Sequence, residues 1–89
     1  MPLSDQNLID EIHGGSQAAF EQLMRRHEHF VYRIAYSFVG NSDGALDISQ
    51  NVFIKVHHKL SSFNGHSSFR TWLARVAQNE SLSWLAFQK

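Results

Sequence analysis

The chain has 89 residues, 43% apolar and 12% aromatic, with a single proline and no cysteine, which bounds it to one globular domain and excludes a disulfide framework or a thiolate zinc site. No apolar run approaches the roughly 20 residues that a bilayer-spanning helix needs, and Met1 precedes a polar, acidic stretch, so neither a membrane segment nor a signal peptide is expected and a soluble, cytoplasmic protein is the default. Net charge is zero, yet residues 1–48 carry seven acids against three bases and residues 49–89 one acid against five, which is −4 against +4 and suits the C-terminal half to a polyanion.

The periodicity is helical throughout. Ser4 is placed to cap a short helix to about His13, with Leu8, Ile9 and Ile12 as its apolar stripe and Gly14-Gly15 as its stop. Ser16 then caps a longer one. In it Phe20, Leu23, Met24, His27, Phe30, Val31, Ile34, Ala35 and Phe38 fall on one side at about 100° per residue, and Gly40-Asn41 ends it. That stripe is expected to be core. Ser42 and Asp43 open a third helix to about Leu60, residues 61–68 read as a loop, and Ser67 or Ser68 caps a fourth helix towards the C-terminus. No strand-like alternation, repeat or low-complexity segment occurs, so the expected fold is all-α, a compact four-helix bundle formed by residues 1–89 as one domain.

The third helix separates into two faces when it is projected at about 100° per residue. Ala45, Ile48, Val52, Phe53, Val56 and Leu60 gather on the core side, while Asp47, Gln50, Asn51, Ile54, His57 and His58 gather on the other. An exposed Ile54 among hydrogen-bonding side chains is what a docking face for another protein's helix looks like. The plainer reading is a solvated face with one stray apolar residue. In the fourth helix Phe69, Trp72, Leu73, Val76 and Ala77 form the buried side. Thr71, Arg75, Gln78 and Asn79 share the other, next to a loop holding Phe63, Asn64, Gly65 and Ser67, with no carboxylate between them. An aromatic ring, amides and an arginine around a glycine-containing loop can hold an unpaired base by stacking, edge hydrogen bonds and phosphate contact. The competing reading tucks Phe63 under the loop and gives Asn79 a backbone carbonyl to cap.

Other chemistry is poorly supplied. The histidines at 13, 27, 29, 57, 58 and 66 include no pair at the i,i+4 spacing that sets two ligands on one helical face, so no metal site is expected, and His27 reads as a packed core histidine. There is no glycine-rich phosphate loop, nucleophile motif or convergent carboxylate pair, so neither an enzyme nor a cofactor is expected.

Three runs in order carry a resemblance. Ala19-Phe20, then Ala45-x-Asp47-Ile48-x-Gln50-x-Val52-Phe53, then Ser68-Phe69-x-Thr71-Trp72-Leu73-x-Arg75-Val76-Ala77-x-Asn79 resemble the second conserved region of bacterial RNA polymerase sigma factors of the extracytoplasmic-function group. The resemblance covers residues from about 8 to 85. It implies a helical bundle of the sigma region 2 type with two working surfaces. The third helix would dock on the clamp helices of the largest subunit of the RNA polymerase core, which gives Asp47, Gln50, Asn51 and Ile54 a partner. The loop and fourth helix would help melt the promoter minus-ten element and hold a flipped base of single-stranded DNA, a role that falls here on Phe63, Asn64, Gly65, Ser67, Arg70, Arg75 and Asn79. An anti-sigma protein is a further implied partner, and a membrane is not.

Departures from the pattern carry their own expectations. The family commonly has an acid where Leu46 and Asn51 stand, which retunes docking. After Asn79 it often carries an Asp and then a basic cluster, whereas this chain continues with Glu80 and has only Lys89, so phosphate contacts are expected to add little affinity. The second, helix-turn-helix domain that reads the minus-thirty-five element is expected to be absent. The alternative function is a sigma-like interaction module that occupies polymerase or an anti-sigma protein without opening DNA.

Overall fold

Ser4 begins α1 as expected: in extended backbone its Oγ accepts the Asn7 N–H at 3.1 Å, and the helix runs Asp5–His13. The computed structural model describes residues 3–88, so Met1, Pro2 and Lys89 lie outside the described residues. Helix α2 spans Gln17–Val39, with Ser16 accepting from the Ala19 N–H. It stops at Gly40, whose φ of 72° is left-handed and whose N–H donates to the Tyr36 carbonyl at 2.8 Å. Only glycine adopts that conformation without a steric penalty.

Helix α3, Ser42–Lys59, starts where expected but with a different cap. The Asn41 side chain accepts the Gly44 N–H at 2.7 Å, which leaves Ser42 as the first helical residue. Asparagine is among the strongest N-caps, so the residue assigned to the preceding stop also starts the next helix. A 3₁₀ turn, Leu60–Ser62, follows, and α4 runs Phe69–Phe87 from a Ser68 cap that accepts the Thr71 N–H at 3.1 Å. Removing that cap as Ser68→Ala is expected to cost about 1 kcal/mol, a fall in melting temperature of roughly 4–8 °C for a domain this small. An unchanged thermal melt would show that α4 starts without it.

Helix α2 is the hub, packed against α1, α3 and α4. Leu8 and Ile9 of α1, Leu23, Met24, Val31 and Ala35 of α2, Ile48, Val52 and Val56 of α3, and Leu73 and Ala77 of α4 form one buried core. Each large side chain there contributes about 1.5–3 kcal/mol through removal from water. Phe38 departs from the expected stripe. It is 36% exposed, because it lies past Ala35, the last buried residue of α2, and Val39 closes this end of the bundle instead.

Gly44 shows how tightly that end is closed. A Cβ there would come within 3.1 Å of the Trp84 ring and 3.2 Å of Val39, so glycine lets the first turn of α3 meet the last turns of α4. Among the described residues no helix is long and apolar enough to cross a membrane. The bundle thus leaves the outer faces of α3 and α4 open, and these are the faces picked out by projection.

Candidate functional site

The face of α3 opposite the core is exposed at Asp47, Gln50, Asn51 and Ile54, as the projection predicts. Ile54 is 58% exposed and Leu46 54%, so this face presents two bare aliphatic side chains among polar ones. Two links to α4 were not legible in the sequence. The Trp84 Nε1–H donates to Asp47 Oδ2 at 3.3 Å, which fixes the carboxylate that the sequence singles out. Lys55 pairs with Glu80 at 3.0 Å, and the Glu80 side chain is only 16% exposed. Glu80 therefore turns towards α3 and is paired with Lys55.

On α4, Thr71, Arg75, Gln78 and Asn79 form an exposed crest without a carboxylate. Asn79 makes no side-chain hydrogen bond among the described residues, so the capping role considered for it is not found; its amide is free at the surface. The loop before α4 is shaped by its own residues: Asn64 Oδ1 accepts the His66 N–H at 3.2 Å, and Gly65 takes a φ of 80°. An Asx turn and a left-handed glycine together hold the chain clear of the surface. Asn64 and Gly65 are exposed and Ser67 is half-buried.

Phe63 requires a correction. It is 9% exposed and packs edge-on against Phe69 at 6.0 Å and tilted against Trp72 at 5.4 Å, so its ring is the floor of the loop and offers no face for stacking a base. Burying a phenylalanine among aromatic neighbours gains more than leaving it in water, and no polar group on the ring holds it outside. Arg70 also departs from the grouping expected of it. Its guanidinium lies 4.0 Å over the ring of Phe30, on the flank of α4 that meets α2. No local pattern signals this contact, which joins residues of different helices.

Asn79 lies seven residues beyond Trp72, roughly 10 Å along the helix at about 1.5 Å per residue. The loop and Asn79 therefore bracket a short path along α4 instead of framing one pocket. Beneath the path the start of α4 is braced. His27 is 4% exposed, as expected of a packed histidine; its Nε2 bonds Asp5 Oδ2 at 2.9 Å and its ring meets Phe69 at 5.3 Å. Among the described residues no group of three or more histidine, aspartate or glutamate side chains is close enough to hold a metal ion.

Both surfaces present the side chains that binding uses. The family described as Sigma-70 region 2 matches residues 23–89. The chain is 38% identical over 86 residues to the ECF RNA polymerase sigma-E factor of Escherichia coli (strain K12), covering 97% of this chain and 44% of that protein. It is 36% identical over 75 residues to the RNA polymerase sigma-H factor of Pseudomonas aeruginosa, covering 84% of this chain and 39% of that one. It thus spans less than half the length of either relative. Among solved structures, an engineered region 2 of sigmaE in complex with GTAAAA matches with a TM-score of 0.90 at 36% identity, over 97% of this chain and 90% of that chain.

Proposed function

The chain belongs to the sigma-70 region 2 family, in its extracytoplasmic-function branch, and from that premise we propose that it acts in transcription initiation, docking on RNA polymerase through α3 and holding single-stranded minus-ten promoter DNA on α4. The observation that carries this reading is the carboxylate-free crest of Thr71, Arg75, Gln78 and Asn79 beside the glycine loop, on a fold that in its sigmaE neighbour is bound to GTAAAA. Polar and cationic side chains without a competing acid attract a phosphate backbone and leave amides free to read base edges.

The roles divide by chemistry. Asn79 reads a base edge, Arg75 neutralises a phosphate, and the backbone and amides of Asn64, Gly65 and Ser67 receive an extruded base over the Phe63 floor. Phe63 serves by shaping the loop. On α3 the apolar Ile54 and Leu46 anchor a helix of the clamp, while Gln50, Asn51 and the Trp84-fixed Asp47 set its register. Leu46, where the family commonly carries an acid, shifts this contact from charge towards apolar burial. Residues 1–89 act as one such unit in the cytoplasm, where polymerase works. An anti-sigma protein that silences it would cover the same α3 face. The same face would serve an interaction module that binds protein without DNA, so DNA binding is the property to test.

Fluorescence anisotropy with GTAAAA and its single-base variants provides that test. Asn79→Ala is expected to lose about 1–3 kcal/mol of discrimination at one position, with the salt dependence unchanged. Arg75→Ala is expected to do the reverse: weaker binding to every sequence, and a log-affinity against log-salt slope shallower by about 0.7. Equal losses on every sequence for Asn79→Ala would remove its reading role. No binding of wild-type chain to any of these oligonucleotides would leave the interaction-module reading.

A further inference from the structure

We propose that the single-strand path continues from α4 onto the outer face of α2, where Arg33 holds a phosphate and Tyr36 stacks a base. This extension rests on the nucleic-acid reading of α4 given above.

Arg70 supplies the junction. Its guanidinium lies 4.0 Å over Phe30, which places a cation on the seam between α4 and α2, on the opposite flank of α4 from the side that Trp72 shares with the loop floor. Setting Phe30 at zero and stepping about 100° per residue puts Ser37 at about −20°, Arg33 at about −60° and Tyr36 at about −120°. These residues make a strip that leads outward from the seam. Glu21 and Glu28 fall at about 180° and 160° on the same projection, roughly 120° and 140° from Arg33. Arg33 therefore has no α2 carboxylate on its own side to oppose it.

The side chains on this strip are open to a ligand. Arg33 is exposed and makes no ion pair among the described residues, whereas Arg26, about two helical turns earlier on α2, is held by Asp5 at 2.9 Å. Tyr36 is 45% exposed, and the Tyr32 ring braces it with centroids 6.0 Å apart and planes 30° apart. Tyr32, Arg33, Tyr36 and Ser37 line an open groove of about 310 Å³. A cation for phosphate and an exposed aromatic face for a base, side by side in a shallow groove, are what sequence-tolerant single-strand binding uses. The most exposed aliphatic side chains, which a protein helix would seek, are Leu46 and Ile54 on α3 and Leu82 on α4, and none is on this strip of α2.

The test compares GTAAAA with the same oligonucleotide carrying a thymidine tract at its 5′ or its 3′ end, titrated by anisotropy into the full chain. Wild type is expected to bind one of the extended forms about ten-fold tighter than the short form. Tyr36→Ala should remove most of that gain at every salt concentration. Arg33→Gln should reduce it roughly three- to ten-fold at low salt and make the salt slope shallower by about 0.7 on the extended form. Arg33→Lys should restore the slope, and none of these exposed substitutions should change affinity for the short form. If wild type binds the short and both extended forms equally, the extension is wrong and the α4 reading stands. If Arg33→Gln and Tyr36→Ala weaken polymerase binding and leave both DNA affinities alone, the groove is a protein contact and the extension is wrong. If wild type fails to bind even the short form, the α4 reading falls and the extension with it.

Discussion

Phe63→Ala is expected to lower the free energy of unfolding by about 3–5 kcal/mol, a large share of what holds a domain this small together. The ring is 9% exposed and sits against Phe69 and Trp72, so its removal leaves a cavity under the loop and strips two aromatic neighbours of a ring contact. Denaturant unfolding followed by tryptophan fluorescence measures it directly, because Trp72 lies in the affected cluster. Phe63→Leu fills most of the same space and is expected to cost under about 1.5 kcal/mol. With the floor kept, DNA binding by Phe63→Leu should match wild type. If Phe63 stacked on a base instead, the order would invert: Phe63→Ala would unfold near wild type, and Phe63→Leu would already have lost DNA affinity.

Ile54→Asp is expected to weaken binding to RNA polymerase core by at least about 2 kcal/mol, roughly 30-fold or more, with the fold unchanged. Ile54 is 58% exposed on the face of α3 opposite Ile48 and Val52, so the substitution touches no core contact and should stay within about 0.5 kcal/mol in stability. In a docked interface the same change would bury a carboxylate against apolar surface with no partner. A competition assay against wild-type chain for immobilised core enzyme reads the loss. Wild-type competition by Ile54→Asp, together with a native thermal melt, would remove α3 as the docking face. The companion substitution Trp84→Phe deletes the donor to Asp47, together with the outer ring carbon nearest Gly44, and leaves Ile54 in place. It separates the contribution of a fixed carboxylate from that of the apolar anchor.

Whatever is local along the chain was legible in its residues. The Ser4, Ser16 and Ser68 caps and the Gly40 stop act within four residues of themselves, so side-chain chemistry at those positions suffices to place the helix ends. The 3.6-residue period then divides α3 into Ile48, Val52 and Val56 on one side and Asp47, Gln50 and Ile54 on the other, whatever the neighbours are. The two candidate faces follow from the same geometry. Family membership was also legible, because the residues that carry it stand at fixed spacings within single helices.

Which side chains meet across helices depends on how the helices pack. Periodicity fixes the direction in which a residue leaves its own axis, but not the height or rotation of the facing helix. For that reason Arg70 over Phe30, Trp84 on Asp47 and Lys55 with Glu80, pairs 40, 37 and 25 positions apart, had no signature in the chain. Phe63 differs, since it lies in a loop with no period at all. Both positions open to it, exposed beside the loop or packed beneath it, fit the sequence equally, and the choice fell to the aromatic cavity that Phe69 and Trp72 form once α4 packs on α2. The apolar ring gains more there than in water, and that free-energy difference exists only in the folded bundle.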